Sequence, residues 1–461
     1  MNTFHTTFSR TLTSSDIKQN IPFPFTVPAG TTQINIRLSF SPWIVDNRYN
    51  MLTLSVFDPD GWRGAGHRHG ATHEVFINAH SATPGYRAGE IQAGEWRVVV
   101  DTHMIMPGVS LPIQIDVTGT DDAIAAAPTV HTVGKTASRG RGWYRGDLHA
   151  HTIHSDAAWD IPALLEWARN NQLDFCTLSD HNSVAGLAIM DAASSDELLT
   201  IGGLELTTFW GHALALGLRQ WIDWRVRPPE HPLGGRTMNE IASEVQAHGG
   251  LFIIAHPRSV GDPDCTGCRW VYETMMPGNA RAVEVWNEPW LNESDHNEEA
   301  LQLAFDWLNQ GYRLALTSGT DNHGRAAHDE GEPYGFDVVY AEDLSEREIL
   351  RAVQRGRLYL SSGPRLELTA SANGAHAMMG DVLNVKQNAP IQINAQWDAA
   401  PDQSQFTLIV DGAPREIWNT GPSGAQTLQL IGGQDHWCLI TLRASNGEML
   451  ALTNPIFLDG H

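Results

Sequence analysis

Four short segments rich in histidine and aspartate, each directly after an apolar run, constrain this chain more than any other feature. The apolar runs are rich in β-branched and aromatic residues, which predicts strands, so each polar segment begins where a strand opens into a loop. Loops at that end of the strands carry the chemistry of (β/α) barrels. The segments are Gly146-Asp147-Leu148-His149-Ala150-His151-Thr152, Leu178-Ser179-Asp180-His181-Asn182, Ile254-Ala255-His256-Pro257 and Ser318-Gly319-Thr320-Asp321-Asn322-His323. Together they predict one multinuclear metal site, and therefore an enzyme.

The spacing within the first segment supports a metal site. In an extended segment, side chains two residues apart share a face, so His149 and His151 can face one ion while Ala150 points away. Asp156 follows on the loop, within reach of a neighbouring ion. Neutral imidazoles and carboxylates suit Zn, Mn or Fe, and no cysteine in the four segments enforces a zinc–thiolate site. Taken alone, one such histidine pair is more often explained by a solvated loop or a hydrogen-bonded core pair, but four segments together favour metal.

Changes of pattern along the chain predict its domains. Residues 1–122 contain short alternating runs separated by turn signals, which predicts an N-terminal β-sandwich, and residues 123–142 read as a linker. Strands alternate with helices over residues 143–364, which predicts a parallel sheet closed into a barrel. Residues 365–461 return to alternation and predict a small C-terminal β-sandwich. The predicted fold class is multidomain, α/β plus β.

The excess of acidic residues indicates which kinds of partner the chain can bind. Thirty basic and 53 acidic residues give a formal charge of -23, which repels the backbone of a long nucleic acid. A metal cluster can still attract a small anion, because it reverses the potential locally. The N-terminus lacks a signal-peptide pattern, and no apolar run reaches the roughly 18 residues needed to cross a membrane. We expect a cytoplasmic protein without a membrane partner, whose exposed sheet edges could support a homo-oligomer.

Two further groups of residues leave alternatives open. Cys265 and Cys268 are separated by two residues, but a zinc ribbon needs a second such pair, so a structural loop is favoured over a redox or metal role. His67, His69 and His73 cluster in the N-terminal region. They belong either to a solvated loop or to a loop that leans over the barrel rim and closes the site.

The four polar segments resemble the motifs of the polymerase and histidinol phosphatase family, abbreviated PHP, and the resemblance spans most of residues 143–364. It implies a distorted (β/α)7 barrel, similar to a TIM barrel, that holds two or three divalent metal ions and activates water to hydrolyse phosphate esters. Within that family, Glu205 and the flanking β regions are most similar to the CehA/McbA-type metallohydrolases.

The resemblance also implies which side chains bind metal, all of them histidines or carboxylates. Ligands of the first ion would be His149, His151, Glu205 and Asp321. Those of the second would be Asp156, His181 and His323. A third ion, giving a trinuclear centre, would take Glu205, His256 and His212. Glu205 would then bridge ions, whereas His212 has the alternative role of a buried histidine at a strand start.

A substrate anion needs donors besides the metals. Arg258, beside the third segment, and Arg325, just after the fourth, can each supply a forked contact, although either can also be a surface charge. We therefore assign Arg258 to catalysis and substrate binding and Arg325 to substrate binding; the other catalytic residues are Glu205 and Asp321. Asp180 is expected to orient a ligating histidine rather than to bind metal.

The expected function is a metal-dependent phosphoesterase that cleaves a small anionic phosphomonoester or phosphodiester with a metal-bridging hydroxide. One alternative is hydrolysis of a carbamate or carboxylic ester by the same centre. Another is a noncatalytic binding module with a degenerate barrel, which the occupied ligand positions oppose. A phosphoesterase should have strong anion donors in its pocket, and a carbamate hydrolase an apolar pocket.

Overall fold

The structure is a computed structural model that describes residues 2–123, 132–226, 235–272, 275–324 and 333–459. These residues form 29 β-strands and only five α-helices, so the chain is mostly β. None of the described helices has both the length and the apolar character that crossing a lipid bilayer requires.

The N-terminal strands form two four-stranded antiparallel sheets. The strands are β1 (Asn2–Leu12), β2 (Asn20–Val27), β3 (Gln33–Phe40), β4 (Ile44–Val45), β5 (Arg48–Tyr49), β6 (Met51–Asp58), β7 (Gly61–Gly66), β8 (Thr72–Asn78), β9 (Gly94–Met104) and β10 (Leu111–Thr120), with a short 3₁₀ turn at Ser14–Asp16. The sheet orders are β1-β10-β3-β8 and β2-β9-β6-β7, and β4 pairs with β5. Alternate side chains of β2 and β10 are buried, and the inward apolar side chains of both sheets form one core.

The central region contains all five helices. Its elements are β11 (Gly142–Asp147), α1 (Ile161–Asn170), β12 (Phe175–Leu178), α2 (Leu187–Ala192), β13 (Leu199–Thr208), β14 (Gly211–Leu216), α3 (Met238–Ala247), β15 (Leu251–Ile254), β16 (Ala282–Asn287), α4 (Ser294–Asn309), β17 (Ala315–Gly319), β18 (Phe336–Ala341), α5 (Glu346–Gln354) and β19 (Leu358–Ser361). Side-chain caps start three helices: the acceptors are Asp160 for α1, Thr237 for α3 and Ser345 for α5.

The central strands follow the order β17-β16-β15-β14-β13-β12-β11-β18-β19. The strand–helix alternation predicted a sheet that is parallel throughout, and the structure differs from this prediction. Strand β14 runs antiparallel to β13 and β15, and β18 runs antiparallel to β11. Only Phe209 and Trp210 separate β13 from β14. So short a connection can join antiparallel neighbours but cannot make the crossover that parallel neighbours need.

The two ends of this strand series meet at the polar segments. The backbone N–H of Asp321, after β17, donates to the carbonyl of His149, after β11, at 2.8 Å. Asp147 supports the junction by accepting from the backbone N–H (3.1 Å) and the hydroxyl (2.7 Å) of Thr320. The first and last polar segments therefore lie side by side.

The C-terminal strands continue the central sheet and add another. They are β20 (Arg365–Ala372), β21 (Ala375–Met378), β22 (Val382–Asn384), β23 (Pro390–Asp398), β24 (Ser404–Val410), β25 (Ala413–Thr420), β26 (Gly424–Ile431), β27 (Trp437–Arg443), β28 (Met449–Thr453) and β29 (Ile456–Asp459). β28, β27, β24 and β25 extend the sheet beyond β19, whereas β21-β20-β23-β26 form a separate sheet. Hydrogen bonding within the large sheet thus crosses residue 364, the boundary predicted from the sequence.

Candidate metal centre

The histidine pair after β11 faces two carboxylates. His149 and His151 are fully buried, and their Nε2 atoms lie 3.3 Å and 2.9 Å from Oδ1 of Asp321. Each Nε2 is also 3.4 Å from Oε2 of Glu205. The backbone N–H of Ala150, which lies between them, donates to Ser179 Oγ at 3.1 Å. This bond helps to hold the extended backbone in which the two histidine side chains share one face. These four side chains could hold one ion.

A second group of possible ligands lies beside the first. Oδ1 of Asp156 is 3.4 Å from Nε2 of His181 and 3.2 Å from Nε2 of His323. The ring centroid of His151 is 4.3 Å from that of His181 and 4.4 Å from that of His323. His151 therefore belongs to both groups, whereas the family resemblance gives it to the first ion alone.

Glu205 lies between the groups, and its two oxygens face different partners. Oε2 is 2.8 Å from Nδ1 of His181 and also faces the histidine pair, whereas Oε1 is 2.9 Å from Nδ1 of His212 and 3.2 Å from Nε2 of His256. His181, Glu205 and His212 form a third group of possible ligands. The two oxygens of Glu205 could therefore serve different groups of ligands.

Two of the candidate ligands have an uncommon backbone conformation. The φ angles of His256 and Asp321 are +24° and +49°, in the left-handed region that side chains other than glycine rarely adopt. Such strain persists only where the surrounding structure imposes it, and it is concentrated at functional sites.

The donor atoms of the centre fit divalent ions. Within the described ranges, several buried atoms of these side chains make no hydrogen bond: His149 Nε2, Glu205 Oε2, Asp321 Oδ1 and both ring nitrogens of His151 and His212. An unsatisfied buried polar atom costs about 1–3 kcal/mol, so their convergence is explained by a cation that they would bind. Imidazole and carboxylate donors suit Zn, Mn or Fe.

The electrostatics of the centre divide its histidines. At His149, His181, His256 and His323 the effect of burial is outweighed by nearby carboxylates, which raise the pKa, to about 9 for His256 and His323, so a metal ion would displace a proton from these imidazoles. Burial alone would raise the pKa of Glu205, but the histidines His181, His212 and His149 outweigh it and hold that pKa well below its ordinary value. Burial, reinforced by His181 and His323, lowers the pKa of His151 to about 3. A carboxylate anion and a neutral imidazole are both competent ligands at neutral pH.

Glu284, on β16, is a residue of the site that the sequence did not single out. Its Oε2 accepts a hydrogen bond from Nδ1 of His149 at 2.9 Å, and its Oε1 accepts one from the amide of Asn287 at 2.7 Å. A carboxylate behind a metal-binding histidine fixes its tautomer and turns the other nitrogen towards the ion. The available signal was an acidic residue inside the apolar strand β16, where Glu284 is fully buried.

Asp180 stabilises a loop rather than an imidazole ligand. Its carboxylate accepts from the backbone N–H (2.8 Å) and hydroxyl (2.7 Å) of Thr152 and from the hydroxyl of Ser155 (2.7 Å). These bonds position the loop between His151 and Asp156. Asp180 thus supports two ligands through the backbone, and not through the direct contact with a histidine that we predicted.

A cavity of about 290 Å³ opens above the centre. It is lined by Tyr49, Met51, His67, His69, Met104, Asp156, His181, His212, His256, Ser259, Val260, Pro263, Asp264, Cys265, Thr266, Cys268, Asn287, Glu288, Glu293, Asp321 and His323. The ring centroid of His67 is 4.5 Å from that of His181, so the loop after β7 covers the centre. His73 is outside the cavity, and its Nε2–H donates to the carbonyl of Gly70 at 3.1 Å.

Of the two predicted arginines, the described structure contains only Arg258, and it lies outside the cavity lining. Its charged neighbours are Arg269 and, on α4, Glu299 and Asp306. It lies two residues after His256, in a turn closed by the hydrogen bond from the N–H of Ser259 to the carbonyl of His256 at 3.0 Å. Arg325 lies outside the described residues.

Cys265 and Cys268 form a disulfide in the cavity wall. Both sulfurs take part in the S–S bond, so neither is a free thiolate.

No family model matches this sequence, and no curated protein does. Among solved structures, the chain is similar to a two-domain protein from Bacteroides vulgatus with a predicted PHP-like metal-dependent phosphoesterase (16% identity, TM-score 0.39, covering 72% of this chain and 100% of that one). It is also similar to a candidate metal-dependent phosphoesterase from Bifidobacterium adolescentis (17%, 0.29, 45% and 94%) and to an amidohydrolase from Chromobacterium violaceum solved with sulfate and no metal (16%, 0.29, 40% and 89%).

Proposed function

We propose that this chain is a metal-dependent hydrolase of the PHP family, of the CehA/McbA type, that cleaves a small phosphomonoester or phosphodiester. The observation that carries the proposal is the position of Glu205, whose two oxygens face different sets of imidazoles. A buried carboxylate shared in this way is suited to neighbouring ions rather than to a structural hydrogen bond.

We also propose the domain architecture that the sequence predicted. Strands β11 to β17 would form the distorted (β/α)7 barrel of residues 143–364, between β-sandwich domains at residues 1–122 and 365–461, with a linker at 123–142. The contact between the loops after β11 and β17 supports closure of the barrel.

The ligands would be distributed over two or three ions. We propose one ion held by His149, His151, Glu205 and Asp321. A second would be held by Asp156, His181 and His323, with His151 close by. A third would be held by Glu205, His212 and His256. Bound ions of this kind lower the pKa of water and stabilise negative charge on the ester.

The chain itself supplies orientation and a proton acceptor. In hydrolysis the oxygen of water bonds to phosphorus, the phosphorus–oxygen bond to the leaving group breaks, and a proton from water must be accepted while the leaving oxygen gains one. We propose Asp321 as the acceptor, because its side chain is 16% exposed and lines the cavity, whereas that of Glu205 is fully buried. Glu284 keeps His149 in the tautomer that turns Nε2 inward.

A second candidate function is hydrolysis of a carbamate or carboxylic ester. It is favoured by one observation: the described residues that line the cavity include no arginine or lysine. Among these described residues a dianionic phosphate would find no arginine or lysine to add to the charge of the metals, whereas a carbonyl ester needs no further cation.

The test is to measure metal content and hydrolysis on one preparation loaded with Zn, Mn or Fe. The substrates are an aryl phosphomonoester, an aryl phosphodiester and an aryl carbamate with the same leaving group. Two or three ions per chain with phosphoester turnover would support the phosphoesterase. Turnover of the carbamate alone would support the carbamate or carboxylic ester hydrolase instead. Full activity in His149→Ala or Asp321→Ala would refute the site, and absence of metal after loading would make a binding module the better description.

A further inference from the structure

The loop that covers the metal centre is also bonded to the central region through an arginine. Arg68 follows His67 in the loop after β7 and is half-buried. Its Nε donates to the carbonyl of Ser155 at 3.2 Å, and its Nη2 donates to the carbonyl of Ile153 at 3.0 Å. Nη2 also donates to the carbonyl of Pro84, in the N-terminal region. The planar guanidinium therefore joins the N-terminal region to the loop after β11.

The loop that Arg68 holds carries a candidate metal ligand. Asp156 comes directly after Ser155, and its Oδ1 lies 3.4 Å from Nε2 of His181 and 3.2 Å from Nε2 of His323. These three side chains belong to the second group of possible ligands. The peptide unit is planar, so the plane that contains the carbonyl of Ser155 also contains the Cα of Asp156. A bond that fixes this carbonyl thus limits the directions in which the carboxylate of Asp156 can point.

A second contact joins the N-terminal region to the same loop. The backbone N–H of Gly85 donates to Nδ1 of His154 at 3.0 Å, and the carbonyl of Gly85 accepts from the hydroxyl of Ser183 at 3.0 Å. Gly85 has a φ of +88°, and a Cβ at this position would lie 2.6 Å from the carbonyl oxygen of His154. The two chain segments meet as closely as only glycine allows. Each of the three residues before Asp156 therefore accepts a hydrogen bond from the N-terminal region.

We propose that Arg68 is a positioning residue for the second group of ligands, so that the N-terminal sheets are part of the metal centre. This inference rests on the metal centre of the proposed function. His67, beside Arg68, lies against His181 of the same group, with ring centroids 4.5 Å apart. In the first group, His149 is supported by Glu284 from within the central region. Loss of Arg68 should therefore affect the second group more than the first.

The charge of Arg68 separates positioning from simple electrostatics. A guanidinium near a cation site repels the cation, so removal of its charge alone would strengthen metal binding or leave it unchanged. Removal of its hydrogen bonds has the opposite effect, because it frees Asp156. Groups that orient metal ligands contribute about 10–100-fold to metal affinity. We expect Arg68→Met, which keeps an apolar stem without donors, to weaken the binding of one ion by about tenfold or more.

The measurement is chelator competition on the Mn-loaded full chain, which gives the affinity of each successive ion. Arg68→Lys should fall between wild type and Arg68→Met, because an ammonium group keeps the charge but not the planar fork. Methylguanidinium added to Arg68→Ala should restore part of the affinity. Wild-type affinity for every ion in Arg68→Met, or tighter binding, would overturn the inference.

A double variant tests whether the effect passes through Asp156. In an Asp156→Ala background the positioned carboxylate is gone, so Arg68→Met should cause little further loss of metal affinity. Two groups that act through each other are not additive in this way, whereas independent groups are. A loss of the same size with and without Asp156 would contradict the assignment.

Arg63 provides a matched control for damage to the N-terminal sheets. It donates to the carbonyls of Arg87 at 3.0 Å and Gly89 at 2.6 Å and to the carboxylate of Asp58 at 2.8 Å, all within the N-terminal region. Arg63→Met should lower the stability of the chain in urea but keep its metal affinity. Equal weakening of metal binding in Arg63→Met and Arg68→Met would overturn the inference, by showing that general destabilisation is the cause.

Metal binding and turnover together separate this inference from the proposed function. Weaker binding of one ion in Arg68→Met, with no turnover of any ester by wild type, would retain the inference and refute the hydrolase. Ester turnover by wild type, with metal affinity unchanged in Arg68→Met, would retain the hydrolase and refute the inference. Absence of metal from the loaded wild type would refute both.

Discussion

His149 is held from both sides, by Glu284 behind and by the shared carboxylates in front. The bond from Nδ1 of His149 to Glu284 joins fully buried groups and has Asn287 as a further support. We predict that Glu284→Ala weakens metal binding about 10–100-fold, because the imidazole loses the group that fixes its tautomer and orientation. Competition with a chelator measures this affinity.

The conservative variant of Glu284 distinguishes orientation from packing. Glu284→Gln keeps the volume and an oxygen acceptor, so it should bind metal more tightly than Glu284→Ala does. Glu367→Gln, at an exposed position on β20, controls for the loss of one negative charge. Wild-type metal affinity in Glu284→Ala would show that His149 needs no support from behind.

His212 decides whether the centre holds a third ion. Both of its ring nitrogens lack a hydrogen bond within the described structure, and Nδ1 lies 2.9 Å from Glu205. His212→Ala should therefore lower the metal content by about one ion per chain while the other groups of ligands stay filled. Elemental analysis of wild type and variant measures the difference. An unchanged metal content would show that His212 is a buried histidine of the core and not a ligand.

His73 gives a pH dependence of stability that is separate from the metal centre. Burial is the main reason that its folded pKa falls from 6.5 to about 4. Between these values the unfolded chain binds a proton that the folded chain does not, so stability is lost as the pH falls from about 6.5 towards 4. Relative to pH 7, wild type should lose about 2 kcal/mol more of its unfolding free energy at pH 5 than His73→Leu does. Equal losses in urea denaturation at the two pH values would contradict this prediction.

At the scale of elements, the histidines in the loop after β7 and at the start of β8 have two different roles. His67 lines the cavity and lies against His181, whereas His73 lies on β8 and packs with a ring centroid 6.3 Å from that of Phe40. We predict that His67→Ala lowers kcat/KM about tenfold, because the cavity loses its cover and admits water. His73→Leu is the control from the same loop region. If neither turnover nor KM changes in His67→Ala, the loop is not part of the site.

Local patterns account for what the sequence could predict of these elements. Period-two alternation and β-branched runs depend on neighbouring residues, so strands and the polar segments after them were recognisable. The antiparallel direction of β14 follows from the two-residue connection before it. A prediction based on the alternation of strands and helices does not take the length of that connection into account. Glu284 meets His149 across 135 residues, a contact that no local pattern contains. Arg258 is absent from the cavity lining although it lies two residues after His256, because nearness in sequence does not fix the direction of a side chain.

At the scale of the whole molecule, the N-terminal sheets pack against the loop that follows β14. Trp221 stacks on Trp62, with ring centroids 5.5 Å apart, and meets the edge of Phe57 at 5.8 Å. Arg225, in the same loop, reaches the buried carboxylate of Asp101 on β9 at 3.5 Å. His67 also comes from the N-terminal sheets, and the neighbouring Arg68 donates to the carbonyls of Ile153 (3.0 Å) and Ser155 (3.2 Å), so the cover is joined to the central region at more than one place.

The ion pair at this junction allows a prediction about the whole fold. Asp101 is 1% exposed, and its pKa is raised by burial, an effect that Arg225 opposes. Arg225→Ala should lower the free energy of unfolding by about 2 kcal/mol at pH 7, since a buried charge loses its cation. Adding Asp101→Asn should restore part of this loss, whereas Arg37→Ala, which breaks the exposed pair with Glu74, should change little. The loss should also shrink as the pH falls, because protonation removes the uncompensated charge. Urea denaturation of the four chains at pH 7 and pH 5 checks each step, and equal stability of Arg225→Ala and wild type would show that the junction does not depend on this pair.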